Sequence, residues 1–117
     1  MTGGRQRAGS AAEDLAARYL ERQGLAIVDR NWRCRAGEID LVARDGATLV
    51  FVEVRLRTSA AFGGAAASVD APKQRRILQA ARLYLAGRPD TPCRCDVVVL
   101  DRLDPAGIEW IRDAFQA

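Results

Sequence analysis

Histidine is absent from the chain, and a single lysine, Lys73, stands among eighteen basic residues. The first absence removes Ser-His-Asp and Cys-His catalysis, HExxH zinc sites and histidine-based nucleases. The second singles out Lys73, because arginine cannot replace lysine where a compact ammonium is needed. Cysteine is scarce. Cys34, Cys93 and Cys95 form an odd set with no CxxC spacing, which argues against a disulfide framework and against a structural zinc. Cys93 and Cys95 share one strand face, too constrained for a mutual disulfide, and are expected to be small buried apolar side chains. Long apolar runs are missing too, and no hydrophobic segment follows the opening arginines. No membrane partner is expected, and a cytoplasmic location is. Any chemistry must rest on carboxylates, Lys73, arginines or a bound metal.

What is present fits one domain with a modest core: 117 residues, with a net charge of +3 that permits a phosphate-binding face without demanding one. Residues 1–9 read as a disordered basic tail and residues 10–117 as the domain. Ser10–Gln23 reads as a helix, with a capping box at Ser10–Glu13 and Gly24 as its stop. Strands follow at Leu25–Arg33, Glu38–Arg44 and Thr48–Arg57, with a hairpin turn at Asp45-Gly46. The Ala/Gly/Ser-rich stretch Thr58–Asp70, around Phe62-Gly63-Gly64, is long for a loop and suggests a mobile or substrate-facing segment. Asp70-Ala71-Pro72 opens a second helix that ends near Gly87. Arg94–Leu100 is a fourth strand and Ile108–Ile111 a short fifth. The order predicts an α/β fold: a mixed sheet with an α-β-β-β-α-β core, a right-handed crossover to a parallel fourth strand, and helices on its faces.

Three acids interrupt the apolar strands: Glu38 and Asp40 in Gly37-Glu38-Ile39-Asp40-Leu41, and Glu53 in Val50-Phe51-Val52-Glu53-Val54-Arg55. A turn at Asp45-Gly46 sets Asp40 opposite Phe51 and Glu38 opposite Glu53, with all three acids and Arg55 on one face. Asp40 and Glu53 are then diagonal neighbours, roughly 5–8 Å apart at Cβ, near enough to share a Mg²⁺. Equally, Arg33, Arg35, Arg55 and Arg57 supply charge that would neutralise the acids. Glu13 suits both the capping box and a position facing the sheet. Lys73 and Gln74 open the second helix, where a lysine opposes the helix dipole unless a carboxylate or phosphate lies nearby.

These stretches, with Arg30-Asn31-Trp32-Arg33, Phe62-Gly63-Gly64, Lys73-Gln74, Cys95-Asp96-Val97-Val98 and Glu109-Trp110-Ile111, resemble the YraN-type family of small bacterial proteins. That family is similar to Holliday-junction resolvases. The resemblance implies a restriction-endonuclease-like three-layer fold and a PD-(D/E)XK site using Mg²⁺ or Mn²⁺. On it Asp40, Glu53 and Glu13 are metal ligands, with Glu38 and Gln74 auxiliary. Arg55 stands where the motif has lysine. Either Lys73 supplies the missing ammonium, or catalysis is lost and nucleic-acid binding stays. The expected partner is structured or branched DNA, gripped by Arg33, Arg35 and Arg57, and a homodimer suits a two-fold substrate. A non-catalytic nucleic-acid-binding module of the same fold is the alternative. A protein-interaction domain using the sheet edge or the Phe62-Gly63-Gly64 loop is a third reading.

Overall fold

A computed structural model describes residues 4–57, 69–88 and 90–116. Five strands form one sheet in sequence order: β1 (Ala26–Cys34), β2 (Gly37–Asp45), β3 (Thr48–Leu56), β4 (Cys93–Leu100) and β5 (Ile108–Phe115). Only β3 and β4 run parallel, joined through helix α2 (Ala71–Tyr84); the other neighbours are antiparallel. Helix α1 (Gly4–Arg22) covers the opposite face. The apolar alternation of the strands builds both interfaces. Val42, Phe51, Val97 and Val99 pack with Ile77, Ala80, Ala81 and Tyr84 on the α2 side. Leu41, Val50, Val52 and Val98 pack with Ala12, Ala16 and Leu20 on the α1 side. Each large side chain so buried contributes roughly 1.5–3 kcal/mol. This is the expected α/β architecture, compatible with the restriction-endonuclease-like three-layer fold.

Three expectations change in detail. Helix α1 starts at Gly4, so Ser10 lies inside it rather than capping it. Arg5-Gln6-Arg7-Ala8 are good helix formers, and extending an existing helix costs less than starting one. The β2–β3 hairpin closes on Asp45–Thr48 with Gly46-Ala47 as its loop, a register two residues away from the expected one. Gly46 has φ 61 and occupies the first central position, which two-residue hairpins of the II′ type reserve for glycine. Strand β5 runs on to Phe115, past an irregularity opposite Asp96. The second helix matches expectation: Asp70 is its N-cap, its carboxylate accepting from the Lys73 N–H at 2.9 Å. The Phe62-Gly63-Gly64 segment lies outside the described residues, as do residues 1–3 of the expected tail.

Candidate active site

Two acids are buried among the described residues, Asp96 and Glu53, and their surroundings differ. Asp96 accepts from Arg94 Nε at 3.1 Å, Trp110 Nε1 at 3.0 Å and the Asp113 N–H at 2.8 Å. A carboxylate so fully engaged is a structural pin, holding β5 to β4 where their register shifts. Glu53 is only 4% exposed, yet its neighbours are a second acid and two cations reaching one oxygen. Lys73 Nζ lies 3.2 Å from Oε2, and Arg55 Nη1 lies 3.7 Å from it.

The second acid is Asp40. The β2–β3 ladder ends at Leu41–Val52, and one rung further would set Asp40 directly opposite Glu53. There the Asp40 side chain takes over from the backbone: Oδ2 accepts from the Val54 N–H at 2.8 Å. Side-chain alternation also breaks, because Ile39 packs on the α2 side while Leu41 packs on the α1 side. The expected diagonal pair is therefore a facing pair. Asp40 and Glu53 lie close enough for each to act on the other's ionisation.

Burial comes first in raising both pKa values. For Glu53 the Asp40 charge adds to it, Lys73 opposes it, and the carboxyl is pushed up to about 7. Asp40 is also raised, against the pull of the Val54 N–H. Two like charges 4 Å apart repel by about 4 kcal/mol at an effective dielectric of 20, so a further cation between the acids would favour their joint ionisation.

Glu13 stands at the margin of this pair. It is hydrogen-bonded to Asn31, and burial followed by the Asp40 charge raises its pKa. Glu38 is bridged to Arg33 at 3.7 Å. Gln74 turns away and donates to the Val69 carbonyl at 2.9 Å. Arg35 is exposed at the β1–β2 turn, and Arg57 follows β3 with its Nε buried and unpartnered among the described residues. Sequence reasoning missed Arg75, Arg76 and Arg82. The available signal was a helix with four basic residues at 73–82 and no acid. Cys93 is exposed rather than buried, because it opens β4 at the sheet margin; Cys95 is buried as expected.

Among the described residues no three acidic or cysteine side chains converge on one point. Asp40 and Glu53 alone offer two hard oxygen donors. Such a set fits Mg²⁺ or Mn²⁺, ions that keep several waters and need only one or two carboxylates.

Fold and site together define a small three-layer α/β protein whose central hairpin holds a buried acid pair faced by a helix-borne lysine. The profile described as "Uncharacterised protein family UPF0102" matches residues 12–100. A UPF0102 protein of Methylobacillus flagellatus is 54% identical over 109 residues, covering 93% of this chain and 96% of its own. One from Dechloromonas aromatica is 57% identical over 109 residues, covering 93% and 88%. One from Nitrosomonas europaea is 54% identical over 108 residues, covering 92% of each. The chain belongs to the UPF0102, YraN-type family.

Proposed function

We propose that this protein is a metal-dependent nuclease-type domain that hydrolyses phosphodiesters in structured DNA. The observation that carries the reading is the buried Asp40–Glu53 pair with Lys73 Nζ 3.2 Å from Glu53. Asp40, Glu53 and the Val54 carbonyl would hold Mg²⁺ or Mn²⁺, with Glu13 and Glu38 reaching it through water. Such an ion lowers the pKa of bound water and offsets charge on the phosphoryl oxygens. Lys73 and Arg55 share Glu53, and both would offset charge on a phosphate bound beside it. Arg55 stays protonated and can only stabilise charge, so the adjustable ammonium of the site is Lys73.

The test is Mn²⁺ titration followed by thermal shift, beside cleavage of four-way junction, flap and duplex DNA. Asp40→Asn should weaken metal-induced stabilisation and abolish cleavage. Cleavage that persists at wild-type rate in Asp40→Asn overturns the assignment. A second reading, nucleic-acid binding without catalysis, draws on Arg55 standing in the lysine position. It predicts salt-sensitive binding with neither metal stabilisation nor turnover.

A further inference from the structure

Four arginines of α2 and the β1–β2 turn have no acidic partner among the described residues. Arg35, Arg75, Arg76 and Arg82 are exposed and form no ion pair among the described residues. Their placement is ordered. Lys73, Arg76, Gln79 and Arg82 recur every third residue along α2. They form an oblique ridge. Each step rises about 4.5 Å and turns about 60° back around the axis, so the row crosses the exposed side of the helix obliquely and Lys73 and Arg82 end on opposite flanks. The ridge begins at Glu53, through Lys73. Its middle lies against the β1–β2 turn, where a Cβ added at Gly37 would meet Arg76 Cβ at 3.8 Å. Its far end opens into a groove of about 440 Å³ lined by Arg35, Gln79 and Arg82. A neighbouring hollow, lined in part by Arg75, shares Gln79 and Arg82.

We propose that the Lys73–Arg76–Arg82 ridge, with Arg35 across the groove, is a track for one phosphodiester strand, leading from the β1–β2 turn to the acid pair. From Lys73 to Arg82 the helix rises about 14 Å. The row is long enough to meet more than one phosphate of a strand that crosses the helix. Guanidinium groups without acidic partners suit phosphate, and Gln79 adds an uncharged donor. The β1–β2 turn lies against α2, and Arg35 lines the same groove as Gln79 and Arg82. The proposal deepens the nuclease reading by naming the strand's path, but it concerns binding and requires no turnover.

The experiment measures anisotropy of fluorescein-labelled single-stranded and four-way-junction DNA in EDTA across a salt series. It compares wild type, Arg76→Glu/Arg82→Glu, Arg76→Lys/Arg82→Lys, and the α1-face control Arg18→Glu/Arg22→Glu. Thermal melts confirm that each variant is folded. The α2 charge reversal should weaken binding at least tenfold and reduce the salt slope by about 2. The lysine variant should retain most affinity and the α1 control should match wild type. Equal binding by wild type and the α2 charge reversal, or equal weakening by the α1 control, overturns the track alone. Absence of any binding by wild type at low salt overturns the track together with the nucleic-acid reading.

Discussion

At the scale of single residues, the two buried acids separate structure from chemistry. Asp96 is saturated by three donors, whereas Glu53 faces a second acid and two cations. In metal-free protein the raised Glu53 pKa has a definite sign. Folded protein keeps a proton that the unfolded chain releases near 4.5, so this group's contribution to stability falls as pH rises towards about 7. Urea unfolding in EDTA at pH 5 and pH 8 should show a smaller drop for Glu53→Gln than for wild type; equal drops would contradict the coupling. Lys73 is the nearest cation, so Lys73→Ala should slow DNA cleavage by about 100-fold or more. Arg55→Ala should cost less, and the reverse order would return the leading role to Arg55. The thiols offer an independent check. Cys93 is exposed, while burial pushes the Cys95 thiol up to about 12. A thiol reagent at pH 8 should modify Cys93 quickly and leave Cys95 untouched in folded protein. The acids were legible because charged residues within apolar strands need partners. The protection of Cys95 was legible from its strand, and the exposure of Cys93 was not, because it depends on where β4 begins against Leu49.

At the scale of elements, a two-residue register error exchanged partners and kept the face assignments apart from that of Ile39, which packs opposite to Leu41. Side chains alternate with period two, so a shift by two residues preserves the face while exchanging the partners. Pattern alone therefore showed that Asp40 and Glu53 share a side, but set them diagonally instead of facing. Gly46 resolves the register. Its φ of 61 strains any residue with a Cβ, although nothing lies within 4 Å of the position. Gly46→Ala should therefore destabilise by about 1–2 kcal/mol through backbone strain alone, measured by urea unfolding. A neutral result would mean that the loop sits elsewhere. The capping box at Ser10 misled for a related reason: it is a local signal, and a helix already formed upstream runs through it. The Asp70 cap was legible because a capping carboxylate just ahead of a proline in the first turn marks a helix start.

At the scale of the whole molecule, order and handedness followed from few constraints: a meander, a helical crossover and one more strand on the free edge. What the chain order hid was the meeting of Arg35 with Gln79 and Arg82 in one groove, since it depends on how α2 lies against the β1–β2 turn. Each 12.8 kDa chain carries one acid pair. A junction with two-fold symmetry presents two equivalent strands, so sedimentation should find two copies per four-way junction. A strict one-to-one complex would remove the resolvase form of the proposal. The Asp40–Val54 bond also has a consequence for inheritance. Because that carboxylate closes a gap in the sheet, a lineage without the proposed nuclease chemistry would still be selected to keep an acceptor there. Asparagine at this position in a descendant would mark a retired enzyme, whereas retained aspartate would not by itself mark a working one.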